Sequence, residues 1–143
     1  MLPEILRIQA EGFKNGSPEK LLKYSKDSRN IFYVIKSQDK VVGFCIYYLK
    51  LTHLSFKGLE KKSVICSIAT DRDFRCKGFA ERLLKASIEE MKLNGISSIT
   101  LYVNINNQPA IRLYEKIGFR EIKKVRNICG QKEECYEMEF KLV

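Results

Sequence analysis

Two stretches of the chain hold residue types able to do chemistry. The first is Arg75–Leu84, RCKGFAERLL. An apolar run, SVICSIAT (Ser63–Thr70), leads through the short polar turn DRDFR straight into it. If this stretch opens a helix, its first-turn N–H groups have no internal partner, and the macrodipole adds about half a positive charge there. Gly78 carries no side chain and Ala80 only a methyl, so a phosphate could approach the backbone closely, with Arg75 and Lys77 adding positive charge beside it. The same stretch also suits a plain amphipathic helix. Phe79, Ala80, Leu83, Leu84, Ile88 and Met91 recur at i, i+3/i+4, and on these residues alone both readings stand. The second stretch, LYVNINNQPAIRLYEKIGF (Leu101–Phe119), offers Tyr102, Asn107 and Tyr114. Tyr114 is spaced from Ile111, Leu113 and Ile117 as a core aromatic would be.

Other reactive residue types are sparse. The five cysteines (Cys45, Cys66, Cys76, Cys129, Cys135) form no C-x-x-C pair and His53 is the only histidine, so no structural metal is expected. Cys45 and Cys66 lie in apolar runs and read as small core residues. Cys129 and Cys135 flank GQKEE and could face each other across a hairpin.

These residues need elements to position them. Ile5, Leu6, Ile8 and Gln9 fall at helical spacing within Pro3–Gly12, and Ser17-Pro18 reads as an N-cap and first helical position opening a helix to about Lys26. NIFYVIKS and KVVGFCIYYLKL, rich in β-branched and aromatic residues, read as strands joined by a hairpin turn at SQDK. SVICSIAT reads as a strand buried on both faces. A helix from Phe79 stops at Asn94-Gly95. SSITLYVNI alternates, with Ile99, Leu101, Val103 and Ile105 on one face and Thr100, Tyr102 and Asn104 on the other. A second helix runs between Pro109 and Gly118, and strands follow around Phe119–Val125 and Tyr136–Leu142. The order ααβββαβαββ, with a strand–helix–strand crossover around Arg75, predicts an α/β or α+β chain built on one mixed sheet. No repeat, linker or composition shift divides residues 1–143, so one domain is expected.

Lys and Arg outnumber Asp and Glu by 26 to 17 in 143 residues, a net charge of +9. That balance suits a polyanionic partner (nucleic acid, a membrane surface or a phosphate-rich cofactor) or a solvated lysine-rich surface. No apolar run approaches the ~18 residues of a membrane span, and MLPEILRIQAEGF lacks a signal-peptide pattern, so a cytoplasmic chain without a membrane partner is expected.

Arg75-Cys76-Lys77-Gly78-Phe79-Ala80 resembles the Q/R-x-x-G-x-G/A signature of the GNAT superfamily of N-acyltransferases, and SIATDRDF before it looks like that family's fourth strand and turn. LYVNINNQPAIRLYEKIGF resembles the second half of the family's acetyl-CoA site, in the RimI-like branch that acetylates protein N-termini, and EECYEMEFKLV is similar to that branch's last strand. The resemblance covers nearly the whole chain. It implies a single GNAT domain over residues 1–143 with a mixed, mostly antiparallel sheet and helices on both faces. It implies acetyl-CoA as cofactor, with backbone groups of Ile68, Ala69 and Thr70 pairing with the pantetheine arm. Amides of Cys76 through Ala80 (Cys76, Lys77, Gly78, Phe79, Ala80) would hold the pyrophosphate beside Arg75. Asn107 would contact the cofactor, and Tyr114 would sit by the sulfur as general acid.

The sequence departs from that pattern in three places. RimI-like enzymes usually begin with a strand before LPEIL, which is absent or shortened here. Many carry a glutamate base on the fifth strand in an L-E-V context, where this chain has Tyr102, a poor base near neutrality with a reference pKa of about 10. A related branch pairs a tyrosine just before the signature arginine with a fifth-strand histidine, and those positions hold Phe74 and Tyr102. Glu19 is then a candidate helix-borne carboxylate, and Ala80 replaces the commoner second glycine.

A missing strong base favours one acceptor class. An α-amine of pKa about 7.7–8.0 is neutral in roughly one molecule in seven at pH 7, whereas a lysine amine (about 10.4) is neutral in roughly one in 2,500. The expected acceptor is therefore a protein or peptide N-terminus, with the ribosome as a candidate partner and proton transfer relayed by Tyr102 or Glu19. Phe13 and Tyr136 are either walls for the acceptor peptide or core aromatics. The competing readings are an acetyltransferase for small amines or lysine, a basic RNA- or ribosome-binding module, and a catalytically silent coenzyme A binder.

Overall fold

The computed structural model describes residues 19–25, 30–54 and 58–142, with side chains for 30–51 and 60–142. The expected first helix and Phe13 lie outside these residues. The elements run β1 (Glu19–Ser25), β2 (Asn30–Ser37), β3 (Lys40–Leu54), β4 (Gly58–Thr70), a 3-10 turn (Arg72–Phe74), α1 (Phe79–Leu93), β5 (Ile96–Asn104), α2 (Gln108–Ile117), β6 (Arg120–Arg126) and β7 (Glu134–Lys141). The seven strands form one sheet in the order β1-β2-β3-β4-β5-β7-β6. β4 and β5 pair in parallel across the α1 crossover, whereas β1–β2, β2–β3, β5–β7 and β6–β7 are antiparallel. Among the described residues no helix is long and apolar enough to cross a membrane.

One expectation is corrected at the start. Residues 19–25, anticipated as a helix, form β1, pairing with β2 from Glu19↔Ser37 to Ser25↔Ile31. Helix propensity is a weak prior. Here the edge of the apolar β2 pairs with all seven residues of EKLLKYS along one side, and that ladder outweighs the marginal stability of a short helix. The sheet edge is thus held by residues that follow the LPEIL segment.

The chain divides into two compact units, Met1–Tyr48 with Cys66–Ile88 and Leu49–Ile65 with Glu89–Val143. In the first, Gln38 (φ 49°) and Asp39 (φ 64°) both take left-handed backbone, the two-residue turn whose twist matches a β-hairpin. Residues Ile31 through Lys36 of β2 are all buried, so both faces of the strand are covered. On one face Phe32 opposes Ile46 and Val34 opposes Phe44. On the other, Tyr47 opposes Ile31 and meets Tyr33 edge to face at 5.6 Å. The Tyr47 hydroxyl donates to Ser87 Oγ of α1 at 2.7 Å, and Ser87 in turn donates to the Leu84 carbonyl at 3.1 Å. Leu83 and Leu84 of α1 are fully buried.

In the second unit, Ile99↔Phe140, Leu101↔Met138 and Val103↔Tyr136 share one face of the β5–β7 ladder, and Thr100↔Glu139, Tyr102↔Glu137 and Asn104↔Cys135 share the other. Phe119, just after α2, stacks edge to face on Phe140 at 5.5 Å and on Tyr114 at 6.0 Å. Gly118 makes this possible: at φ 134° a Cβ there would lie 2.9 Å from the Phe140 ring. Cys129 and Cys135 are joined as a disulfide across the β6–β7 hairpin, with Cα atoms 6.3 Å apart. β6 ends the sheet, and Arg120, Lys123, Lys124 and Arg126 are all exposed along it.

Burial pushes the Tyr47 hydroxyl and the Cys45 thiol well above their ordinary values. Groups whose folded pKa is raised support the fold while neutral and lose that contribution once the unfolded chain ionises, so stability should fall as pH climbs past about 9–10. Tyr47→Phe is expected to cost about 1 kcal/mol at pH 7 through the lost bond to Ser87. Denaturant titrations from pH 7 to 11 should show the variant with a shallower alkaline decline than the parent.

Candidate functional site

In the first unit, the turn from β4 into α1 takes left-handed backbone at two positions. The β4–β5 ladder covers Lys61–Val64 against Ile96–Thr100, and β4 runs on through Ile65–Thr70 beyond it. In that extension Cys66, Ser67 and Ala69 are exposed and Ile68 and Thr70 half-buried. This corrects the expectation of a strand buried on both faces, and of Cys66 as a core residue: apolar Ile68 and Ala69 continue the strand past its ladder. Ala69 to Asp71 and Val41 to Phe44 line a cavity of about 280 Å³.

The end of β4 is pinned. The Asp71 N–H donates to the Val42 carbonyl at 2.7 Å, and the Asp71 carboxylate accepts from the Asp73 N–H at 3.0 Å, capping the 3-10 turn. Arg75 Nε donates to the Thr70 carbonyl at 3.3 Å, folding the loop back on the strand. The chain then takes left-handed backbone at Cys76 (φ 61°) and again at Gly78 (φ 84°). Such alternation turns successive N–H groups towards one side, the geometry of an anion-binding concavity. The first helical bond of α1 is Arg82 N–H to the Gly78 carbonyl at 3.0 Å, so the amides of Phe79 and Ala80 precede the helical ladder.

Cations surround this opening. Lys40 and Lys77 place their ammonium groups 5.1 and 5.5 Å from the Phe74 ring centroid, and Phe74 meets Phe79 edge to face at 5.8 Å. Lys40 also lies 3.8 Å from Asp71, an exposed pair that adds little stability. The Arg82 guanidinium lies over the Phe79 ring at 4.7 Å, with Nη1 3.1 Å from where a Gly78 Cβ would be. Positive backbone ends and four nearby cations (Lys40, Arg75, Lys77, Arg82) fit a pyrophosphate.

The remaining candidates lie on the second unit. Asn107 caps α2, its side-chain oxygen accepting from the Ala110 N–H at 3.4 Å. Tyr114 is buried within α2 against Phe119. Tyr102 is half-buried and donates to Glu137 Oε1 at 2.8 Å. That bond, with burial and the Glu137 charge, holds the Tyr102 hydroxyl above its ordinary pKa. Tyr136 takes the Val103 face, opposite to Tyr102, with Lys124 5.7 Å from its ring centroid. Glu19 opens β1 by its backbone.

The sequence pattern did not single out Arg82 or Glu137. Arg82 stands one turn after Gly78, where a helix-surface cation looks like any other. Glu137 meets Tyr102 only through the β5–β7 register, 35 residues apart in sequence.

Comparison with known proteins agrees with this geometry. Residues 2–119 match the model of the Acetyltransferase (GNAT) family. An N-alpha-acetyltransferase of Sulfurisphaera tokodaii is 31% identical over 121 residues, covering 82% of this chain and 72% of the relative. The [ribosomal protein bS18]-alanine N-acetyltransferase of Escherichia coli K12 is 26% identical over 126 residues, covering 88% and 79%. In fold, the crystal structure of Arabidopsis thaliana NAA60 with acetyl-CoA superposes with a TM-score of 0.73 at 18% identity, covering 98% of this chain and 92% of that one.

Gly78→Val would place a branched side chain at φ 84° and against Arg82. Calorimetric titration with coenzyme A should show affinity lowered roughly ten-fold or more, about 1.4 kcal/mol. Thermal unfolding should show a cost of about 1–2 kcal/mol from the left-handed backbone.

Proposed function

The chain belongs to the acetyltransferase (GNAT) family and is an acetyl-CoA-dependent N-acetyltransferase, and on that premise we propose that it acetylates the α-amine of a protein or peptide N-terminus. The observation that carries the binding half is the open end of β4 followed by the left-handed turn into α1. Two N-terminal acetyltransferase relatives support the acceptor. The strands β3 and β4 and helix α1 run through both compact units, and we take residues 1–143 as one domain.

Bound acetyl-CoA supplies the activated acetyl thioester. Backbone groups of Ile68, Ala69 and Thr70 hydrogen-bond the pantetheine arm as an added strand would, using the part of β4 beyond its ladder. The amides of Cys76 through Ala80 hold the pyrophosphate, with Arg75, Lys77 and Arg82 adding charge. The Asn107 side chain, whose oxygen is engaged as a cap, retains its amide hydrogens for the cofactor. With acetyl-CoA bound, a β4 backbone N–H would serve as hydrogen-bond donor to the thioester carbonyl oxygen, and the Tyr114 hydroxyl would serve as proton donor to the sulfur.

The acceptor class follows from proton affinity. Tyr102, holding its proton through Glu137, is no base for an ammonium of pKa about 10.4, whereas an α-amine of about 7.7–8.0 is partly neutral already. The E. coli relative's name assigns it a ribosomal-protein alanine, and the +9 charge here suits an acceptor presented on an RNA-rich surface.

A peptide-library acetylation assay read by mass spectrometry should find transfer to free N-termini. Activity confined to polyamines or lysine side chains would overturn the α-amine reading. Tyr114→Phe should lower kcat by about 10²-fold while leaving acetyl-CoA affinity nearly unchanged.

A further inference from the structure

We propose that the Cys129–Cys135 bridge is a redox-sensitive clamp on the β5–α2 turn: its reduction by a dithiol loosens the turn that carries Asn107 and weakens acetyl-CoA binding. The effect on the cofactor rests on the contact assigned above to Asn107, whereas the clamp itself stands without it.

The bridge closes a tight loop. β6 and β7 pair from Arg120↔Glu139 to Arg126↔Glu134, and Cys129 in the connecting loop is joined to Cys135 on β7, six positions on. A bridge across so short a segment removes little freedom from the unfolded chain, and the ladder already holds the hairpin, so global stability is its smaller effect. Its local effect is larger. The Asn127 N–H donates to the Glu133 carbonyl at 3.0 Å, the Glu133 N–H to the Gly130 carbonyl at 3.2 Å, and the Lys132 N–H to Asn127 Oδ1 at 2.7 Å. Asn127 (φ 66°) and Lys132 (φ 63°) take left-handed backbone to make this turn, a conformation disfavoured for a residue with a Cβ and one that a covalent tie helps to hold.

The loop so held grips the start of α2. Glu133 Oε2 accepts from Asn104 Nδ2 at 3.2 Å, and the Glu134 carbonyl accepts from the Ile105 N–H at 3.1 Å. Asn104 accepts in its turn, its Oδ1 from the Asn106 N–H at 2.8 Å and its carbonyl from the Asn107 N–H at 2.9 Å. Direct contacts therefore run from the bridged loop to the cap of α2, all inside the second unit. The two sulfurs differ in access: Cys129 is exposed, whereas Cys135 is fully buried opposite Asn104. A thiolate of the dithiol attacks Cys129 Sγ, and the Cys135 sulfur leaves with the electron pair of the S–S bond and takes a proton. The reductant's second thiolate then attacks its own sulfur in the mixed disulfide, closing the oxidised reductant and releasing Cys129, which takes the second proton. Two electrons and two protons pass from the dithiol to the bridge. With Cys129 released, the loop keeps only its hydrogen bonds, and Glu133 and Glu134 loosen their hold on Asn104 and Ile105.

The test starts from wild-type protein kept without reductant. Thiol titration after unfolding should count three, matching Cys45, Cys66 and Cys76, and five after treatment with dithiothreitol. Calorimetry with coenzyme A should give an affinity at least about five-fold lower for the reduced form, recovered on reoxidation. Amide exchange should become faster over residues 104–110 on reduction but not along α1. A bridge that served stability alone would lower the melting temperature and leave both readouts unmoved. Cys129→Ser should match the reduced wild type and ignore dithiothreitol, whereas Cys66→Ser should respond as the wild type does. If Cys129→Ser does not fold, the reduced wild type carries the same comparison. Five thiols that oxidised dithiothreitol cannot bridge, or equal coenzyme A affinities in the two forms, overturn the inference while the acetyltransferase reading stands. A protein that binds no coenzyme A in either form overturns the cofactor reading instead; faster exchange over 104–110 on reduction then still upholds the clamp, and unchanged exchange overturns it.

Discussion

An α-helix cannot satisfy the N–H groups of its own first turn, and what the surrounding chain does with α1 follows from that constraint. The amides of Phe79 and Ala80 lie ahead of the first helical bond. Leu83 and Leu84 bury the helix body, and Tyr47 ties it to β3 through Ser87, so the helix end is fixed without its amides being used. Asp71 caps the 3-10 turn, and Arg75 binds the end of β4. Local polar needs are met by side chains, leaving the backbone of the turn for an anion. Cys76 accepts left-handed backbone, at a cost of order 1 kcal/mol for a residue with a Cβ, so that the turn can close.

A second constraint is the strand register. In an antiparallel ladder a one-residue slip would exchange the two faces, so the pairing of Leu101 with Met138 also fixes the meeting of Tyr102 with Glu137. The buried face sets the register, and the polar face inherits its geometry. The Gly118–Phe119–Phe140 cluster reinforces this: the bare Cα of Gly118 lets Phe140 close against it, fixing β7 against the end of α2.

Much of this could be read from the sequence, because the informative signals are local. Alternation in SSITLYVNI assigned both faces of β5, helical spacing placed α1 and α2, and Asn94-Gly95 marked the end of α1, where Gly95 takes φ 83°. The family resemblance supplied the roles proposed for Gly78 and Tyr114. What escaped is non-local. EKLLKYS contains good helix formers and becomes a strand only because β2 presents an unpaired edge. Cys66 sits in an apolar run yet is exposed, since burial depends on where the β4–β5 ladder ends rather than on composition. Glu137 reads as one of several charges near the chain's end until the pairing with β5 is known.

The outer strand has a bearing on how copies of the molecule behave towards each other. β6 ends the sheet with a row of backbone groups available for pairing, and Ile122 and Ile128 are each about half exposed beside it. Such an edge invites a second chain to extend the sheet. Arg120, Lys123, Lys124 and Arg126 occupy four of its seven positions, so the edge of an identical copy would bring like charge against like charge. At +9 the whole molecule adds to that repulsion. High salt, which screens exposed charges, removes the protection and leaves the isoleucines to drive self-association, so this protein should be more colloidally stable in dilute buffer than in concentrated salt.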